Sequence, residues 1–316
     1  MTNSVRGSAP RFAMFVLLFA LLVPIGLAAQ TLRVGMMPAV NSIPLIVAEA
    51  EGYFAAEGVS VELEMFHNQL YRETALQTGR IDGSVSDLIN AINAVTGGFA
   101  VQVTSVTDGL FGLVTAPNSR IRSIADWKSP ATRSVQVGLL RDSIIFYSAE
   151  RMLQAHGANP AIIVPVTTLQ VPTRMEMVVA GQIEAAMLPE PITRVAIARG
   201  AHLIADSSVM EQTPGVLLFT PQAMQTKLPQ IRAFYRAYNR AVEAVNADPD
   251  RFRRLIVSAG GFPPMVEQTM AIPRFQTARV PTEAEFNDVV GWMRDQGLLS
   301  ANPRYATVVN PAALPR

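Results

Sequence analysis

Near the middle of the chain lies the stretch Gly181-Gln182-Ile183-Glu184-Ala185-Ala186-Met187-Leu188-Pro189-Glu190-Pro191. Its apolar run, residues 183–188, predicts a short and fully buried strand. Gly181 marks the end of the preceding helix, because glycine adopts the left-handed conformation without steric cost. The two prolines end the strand, since proline donates no hydrogen bond to a sheet and favours the first turn of a helix. Glu190 therefore follows a strand, at the edge where open α/β sheets bind ligands.

The same pattern occurs earlier in the chain, where a helix ends at Gly79 and is followed by Arg80-Ile81-Asp82-Gly83-Ser84-Val85-Ser86-Asp87. The opening strands of the two halves are also alike, because Val34-Gly35-Met36-Met37 resembles Val137-Gly138-Leu139-Leu140. Strands alternate with helices in both halves, which predicts βαβ units and a mostly parallel sheet. The sequence thus predicts an α/β protein of two lobes built on one plan, with a ligand between them.

Periodicity gives the predicted elements in order. The first half has strands at 31–37, 59–65, 81–85 and 101–106, and helices at 43–56, 71–78 and 87–95. The second half has strands at 134–140, 162–166, 183–188 and 202–205, and helices at 143–156, 173–180 and 191–199. Two further apolar strands, 110–115 and 216–220, are predicted to carry the chain into the second lobe and back, which forms a hinge. Everything after Pro221 is predicted to be helical, with 231–247 the longest helix.

These crossings set the predicted domain boundaries. Lobe one comprises residues 30–112 plus 217–316, and lobe two comprises residues 113–216. A chain of 316 residues with 49% hydrophobic and 16% charged side chains can bury two cores of ordinary size.

Composition excludes several functions. The formal net charge is +1 and no basic cluster interleaves with aromatics, which argues against nucleic acid as a partner. The chain has no cysteine, so disulfides, thiolate metal sites and a cysteine nucleophile are excluded. Its 3 histidines lack metal-ligand spacing, and we predict no metal. The glycine-rich and nucleophile motifs of common cofactor sites and hydrolases are absent, and we predict no cofactor.

The N-terminus has the pattern of a secretory signal peptide. Arg6 and Arg11 precede an apolar run at 12–22, and small residues follow up to Ala29. We therefore predict that residues 1–29 are a signal peptide and that the protein is periplasmic. A retained membrane anchor is the alternative, but the run is shorter than the roughly 20 residues that span a bilayer. No cysteine follows the run, so a lipid anchor on cysteine is excluded.

Short motifs then occur in a fixed order: Arg33-Val34-Gly35 with Pro38, Pro44 with Ala48, Glu51-Gly52-Tyr53-Phe54, Glu57-Gly58-Val59, Gly79-Arg80-Ile81-Asp82, Ile124-Ala125-Asp126-Trp127-Lys128, and Gly181 to Ala186 with Glu190-Pro191. In this order they resemble the periplasmic substrate-binding proteins of ABC importers in the nitrate/sulfonate/taurine and thiamine-pyrimidine-precursor group. The resemblance implies a type II periplasmic-binding-protein fold that captures a small solute in the interlobe cleft. It implies delivery to an ABC permease with its cytoplasmic ATPase, and no chemistry on the solute. We expect a monomer.

Two other classes of function stay open. The first is an exported enzyme on the same fold that acts on a pyrimidine-like compound. One eukaryotic branch with this fold makes the thiamine pyrimidine near a cysteine-rich motif, and the absence of cysteine here disfavours that branch. The second is a ligand-sensing module for a membrane signalling partner.

The candidate ligand-binding residues all end or follow predicted strands, at the edge where the lobes meet. They are Met37, Pro38, Asn41, Ser42, Phe66, His67, Ser86, Asp87, Thr107, Asp108, Arg141, Asp142, Ser143 and Glu190. For the residues at helix starts, capping is the structural alternative, since Asn, Ser and Asp are preferred caps. For Asp108, which precedes a glycine, the alternative is a tight turn.

Glu190 is the strongest candidate, because a carboxylate between two prolines has few structural roles. Among the candidates, carboxylates outnumber the single arginine, Arg141. That balance disfavours nitrate or a sulfonate, unless helix N-termini supply most of the binding. It favours a neutral or amine-bearing solute, such as an aminopyrimidine, whose donors the carboxylates accept.

Overall fold

The computed structural model describes residues 1–2, 31–168, 170–210, 213–299 and 301–315. From residue 3 onward, the predicted signal peptide lies outside the described residues. The strands are β1 (Leu32–Met36), β2 (Val61–Met65), β3 (Gly83–Asp87), β4 (Gln102–Val106), β5 (Phe111–Thr115), β6 (Val135–Leu139), β7 (Ile163–Thr167), β8 (Ala185–Pro189), β9 (His202–Asp206) and β10 (Gly215–Phe219). The α-helices are α1 (Ile43–Ala50), α2 (Tyr53–Ala56), α3 (Gln69–Gln77), α4 (Leu88–Thr96), α5 (Ile124–Trp127), α6 (Ile144–Ala155), α7 (Val171–Val179), α8 (Ile192–Ala198), α9 (Pro221–Thr226), α10 (Leu228–Ala247), α11 (Arg253–Gly260), α12 (Glu283–Asp295) and α13 (Tyr305–Val308).

The strands form two sheets of the same design. The first has the order β2-β1-β3-β10-β4 and the second β7-β6-β8-β5-β9. The prediction of a mostly parallel sheet is wrong in one respect, because β10 and β5 pair antiparallel with both of their neighbours. Each of these strands enters its sheet directly from a crossing, so it starts at the edge where the neighbouring strands end. The remaining pairs, β1 with β2 and β3 and β6 with β7 and β8, are parallel as predicted.

Three residues, a glycine, an isoleucine and an arginine, are packed alike in the two lobes. A Cβ added to Gly35 would lie 2.6 Å from Ile81 Cδ1 and 3.4 Å from Arg72 Cγ. A Cβ added to Gly138 would lie 2.6 Å from Ile183 Cδ1 and 2.9 Å from Arg174 Cγ. In each lobe a glycine therefore makes room for one isoleucine and one buried arginine. The similarity seen in the sequence thus extends to the packing of side chains.

Two predicted helical regions differ from the structure. The predicted helix 43–56 is two helices, because Gly52 between them is left-handed with φ 70°. The region after Pro221 is not helical throughout, since residues 270–282 contain no helix. Pro273 and Pro281 lie in this segment, and proline disfavours a helix interior. Asn246 holds the segment through Phe275, donating to its carbonyl over 2.7 Å and accepting from its N–H over 2.9 Å.

Helices cover both faces of the sheets, and each of the two hydrophobic clusters runs through both lobes. One cluster joins Val34 of β1 to Leu188 of β8. The other joins Val103 of β4 to Met187 of β8. Within the described residues, no helix is both long and apolar enough to span a bilayer.

Candidate ligand cleft

The two sheets present their carboxyl edges to each other. Residues 107–110 link the end of β4 to the start of β5, and Phe111 pairs with Pro189 at the end of β8. On the return, residues 207–214 link β9 to β10, and Gly215 pairs with Asp87 at the end of β3. These two links are called the first and second crossings below. The residues that follow β1, β3, β6 and β8 consequently lie along the cleft between the lobes, where ligands bind in folds of this type.

On the first lobe, Asp87 is at the centre of a buried polar network. Its Oδ1 accepts the backbone N–H of Asn90 over 2.9 Å, and its Oδ2 accepts the Asn90 side-chain amide over 2.6 Å. Gln69 donates in turn to Asn90 Oδ1 over 2.9 Å. Burial raises the pKa of Asp87 to about 6, although Asn90 and nearby Arg72 lower it. Asp87 therefore caps α4, as the structural alternative to ligand binding predicted, and it does so at the edge of the cleft.

A buried arginine beside this network was missed in the sequence. Arg72 is 5% exposed and donates to the hydroxyl of Ser86 over 3.3 Å. Its Nε has no hydrogen-bond partner among the described residues. Burial lowers the pKa of Arg72, and Asp87 and Glu73 oppose this effect. Arg72 lies inside a helix and outside the turns, so its only sequence signal is its spacing with the buried Ala75 and Leu76 of α3.

The second lobe has the equivalent arginine. Arg174 is 1% exposed and donates to the carbonyls of Met187 over 2.9 Å and Thr168 over 2.6 Å. It forms no ion pair within the part of the chain that the structure describes, and burial lowers its pKa to about 10. Because its two terminal nitrogens are bonded to carbonyls, Arg174 fixes the ends of β7 and β8 instead of offering a free fork to an anion.

Glu190 is the most unusual group on the second lobe. Its side chain is 2% exposed, and Oε1 accepts from Arg194 Nε over 2.9 Å. Its Oε2 has no partner among the described residues. Burial raises the pKa of Glu190 to about 7, although Arg194 lowers it. The backbone N–H of Glu190 donates to the Leu110 carbonyl over 2.9 Å, which attaches this carboxyl to the first crossing.

The turn after β1, which contains the half-buried Met37 and Pro38, is attached to the same crossing. Ser42 donates to the Met37 carbonyl over 2.8 Å, and Thr107 donates to the Asn41 carbonyl over 3.1 Å. Ser42 therefore closes the turn on itself and makes no side-chain cap for α1. The buried Asn41 Oδ1 has no partner in the described ranges, so it is available to a ligand donor.

The remaining candidates are less favourably placed. Asp108 accepts two hydrogen bonds from Gln276, over 2.8 and 2.9 Å, so both oxygens hold the segment before α12. Ser143 is buried and donates to the Leu140 carbonyl over 2.5 Å. Phe66 is buried, whereas the other three candidates are exposed, namely His67, Arg141 and Asp142. Ligand contact by any of the candidates stays a prediction. In the described residues, no group of three or more His, Asp or Glu is arranged to hold a metal ion.

The sequence matches a known family over most of its length. The family model described as NMT1/THI5 like covers residues 39–252, from the turn after β1 to the start of α11. The chain belongs to the NMT1/THI5-like family. No curated protein matches it in sequence.

Solved structures with the same fold include both receptors and an enzyme. The alkanesulfonate-binding protein SsuA from Xanthomonas axonopodis pv. citri has a TM-score of 0.72 at 19% identity, with 89% of this chain and 98% of that chain covered. The periplasmic nitrate-binding protein NrtA from Synechocystis has a TM-score of 0.68 at 12% identity, with 90% of this chain and 87% of that chain covered. The desulfurization enzyme DSZB has a TM-score of 0.63 at 15% identity, with 90% of this chain and 97% of that chain covered.

These similarities confirm the predicted fold. The NMT1/THI5-like chain has two α/β lobes joined by two crossings, which is the type II periplasmic-binding-protein fold. At these identities the comparison extends to the fold and no further, so the ligand has to be argued from the cleft itself.

Proposed function

We propose that this protein is a periplasmic solute receptor, which captures a small organic solute between its lobes and delivers it to an ABC permease without chemical change. Membership of the NMT1/THI5-like family and the fold shared with sulfonate- and nitrate-binding proteins support this role. Hinged closure of two lobes around a ligand is a known mode of action of such folds. We propose that it acts as a monomer, and the net charge of +1 argues against nucleic acid as a partner.

The observation that carries the proposal is that Glu190 Oε2 has no hydrogen-bond partner in the part of the chain that the structure describes. A buried acceptor without a hydrogen bond costs about 1–3 kcal/mol, which a ligand donor placed against it recovers. With its pKa at about 7, Glu190 exists both as a carboxylate and as a carboxylic acid near neutral pH. Because Arg194 engages Oε1, Oε2 is the open atom, and it accepts from an amine as the carboxylate or donates to a ring nitrogen as the acid. An aminopyrimidine-like heterocycle offers either kind of group.

The arginines of the cleft support a solute that is not an anion. Arg174 is bonded to two carbonyls, and Arg72 lies beside the buried Asp87. Arg141, the arginine predicted from the sequence, is exposed. Neither Arg174 nor Arg141 therefore offers the buried and free guanidinium that bidentate recognition of a sulfonate requires. The charge of Arg72 is opposed by the nearby carboxylates of Asp87 and Glu73.

The test is thermal melting of the purified protein against aminopyrimidines, riboflavin-like heterocycles, taurine, alkyl sulfonates and nitrate. A ligand at one hundred times its dissociation constant adds about 2.7 kcal/mol to the free energy of unfolding. We expect a heterocycle to stabilise the wild type and to lose at least about tenfold in affinity with Glu190→Gln, the equivalent of ~1.4 kcal/mol. Glu176→Gln is the matched control, because Glu176 pairs with Arg199 on the surface of the second lobe. A sulfonate that binds both variants equally would refute the assignment of Glu190.

The alternative function is that of an exported enzyme on the same fold. The enzyme DSZB, which has this fold, supports that alternative. Mass spectrometry after incubation with each stabilising solute separates the two. A receptor returns the solute unchanged, whereas an enzyme converts it.

A further inference from the structure

We propose that a contact between α6 and α12 acts as a latch that holds the two lobes at a fixed separation. Helix α6 packs against β8, β5 and β9 of the second lobe. Helix α12 packs against α4 of the first lobe. The α6–α12 latch consists of Phe146, Tyr147, Glu150 and Arg151 on α6 and of Asp288, Trp292 and Gln296 on or next to α12. It joins the lobes through side chains on two helices, next to the second crossing.

The polar half of the latch centres on Asp288. The hydroxyl of Tyr147 donates to Asp288 Oδ2 over 2.5 Å, and Arg151 Nη2 donates to Oδ1 over 2.8 Å. Both carboxylate oxygens of Asp288, on the first lobe, thus accept hydrogen bonds from donors on the second lobe. The Tyr147–Asp288 bond is charge-assisted, and such bonds are about twice as strong as neutral ones.

The apolar half centres on Trp292, which is 4% exposed. Its ring meets Phe146 and Tyr147 edge to face, at centroid distances of 5.9 and 5.5 Å. Its indole N–H donates to Glu150 Oε2 over 2.5 Å, an oxygen that also accepts from Gln296 over 3.1 Å. Aromatic packing of this kind adds about 0.5–1.5 kcal/mol per pair beyond the area it buries. The contact is therefore a specific interface and more than a surface ion pair.

A pocket lies beside the polar half of the latch. Its volume is about 370 Å³, and its lining includes Tyr147, Arg151 and Asp288 of the latch and residues 213–215 at the end of the second crossing. The polar latch residues therefore border an open space between α6, α12 and the second crossing.

Rotation of one lobe against the other about the crossings displaces α6 relative to α12. Such rotation has to break the bonds of Asp288 or slide Trp292 out of its aromatic contacts. The latch therefore limits the range of lobe separations that the protein samples. This inference depends on the two-lobed fold and is independent of which solute is bound.

The test uses the absence of cysteine in the chain. Glu62 on β2 and Val164 on β7 are exposed, and each lies in an edge strand of its sheet. The double variant Glu62→Cys, Val164→Cys therefore provides one labelling site on each lobe. Spin labels on this pair of cysteines report the distribution of interlobe distances by pulsed electron paramagnetic resonance, with no solute added. We expect the distribution to broaden in Asp288→Asn, whose side chain is 47% exposed, and in Tyr147→Phe.

Glu176→Gln is the control, since it breaks an ion pair within the second lobe and leaves the latch intact. Thermal melting confirms that each variant is folded. Unchanged distributions in both latch variants would overturn the proposal, as would equal broadening in the control. Neither result depends on solute binding, so the test is separate from that of the proposed receptor function.

Discussion

At the scale of single residues, the buried carboxyl of Glu190 makes stability depend on pH. Its pKa is about 7 in the folded protein against an ordinary value of 4.5. Between these values the folded state holds a proton that the unfolded state has lost, so stability falls as pH rises through the window. Above about pH 7 the loss is complete, and it is at most about 3 kcal/mol because one pH unit corresponds to ~1.4 kcal/mol.

Glu190→Gln removes this dependence. We expect the variant to gain stability relative to the wild type as pH rises from 5 to 8, measured by urea unfolding at both pH values. Asp87, whose pKa is also raised, is present in both proteins and its contribution cancels. A stability difference that stays constant with pH would show that the folded carboxyl titrates normally.

The positions of the candidate site residues were predictable where these residues end strands, and unpredictable where burial decides. Glu190 stood out in the sequence because two prolines enclose it, and the structure adds that one of its oxygens has no hydrogen-bond partner within the described ranges. Arg72 and Arg174 were missed, because a sequence does not show that an arginine within a helix lies under a neighbouring strand. Asp108 follows a strand as predicted, yet its binding to Gln276 depends on a segment far along the chain.

At the scale of elements, the strands and most of the helices followed from periodicity and from glycine and proline. The direction of β5 and β10 did not follow, because hydrophobic alternation carries no information on whether neighbours run parallel. The non-helical segment 270–282 was also missed, since its backbone partners lie on α10 and β4.

The pairing of β3 with β10 gives a prediction about glycine. A Cβ on Gly83 would lie 2.5 Å from the Leu218 carbonyl oxygen and 2.3 Å from Phe219 Cδ1. A Cβ on Gly35 would meet the flexible end of Ile81 at 2.6 Å. The backbone of a central strand cannot move aside as a side chain can, so we expect Gly83→Ala to cost about 3 kcal/mol and Gly35→Ala only about 1. Chemical denaturation of both variants checks the order, and equal costs would contradict it.

At the scale of the whole molecule, the two lobes share their cores. Each hydrophobic cluster contains strands from both sheets, as Val34 with Leu188 and Val103 with Met187 show. Loss of one lobe would expose apolar surface on the other, which couples their unfolding.

We therefore expect a single cooperative thermal transition in spite of the two-lobed shape. Scanning calorimetry checks this by comparing the calorimetric enthalpy with the van't Hoff enthalpy, which agree for a two-state process. Two resolved peaks, or a van't Hoff enthalpy well below the calorimetric one, would show that the lobes melt independently.

The position of β10 has a consequence for synthesis. The strands of the second sheet all lie between residues 111 and 206, whereas the first sheet receives β10 from residues 215–219 and places it between β3 and β4. As the chain emerges from the ribosome, all strands of the second lobe are therefore available before the first lobe receives its last strand, although the first lobe begins earlier in the sequence. Until β10 arrives, β4 lacks the neighbour that pairs it to the sheet. The nascent chain thus offers a chaperone an unpaired strand at residues 102–106, which the finished protein conceals.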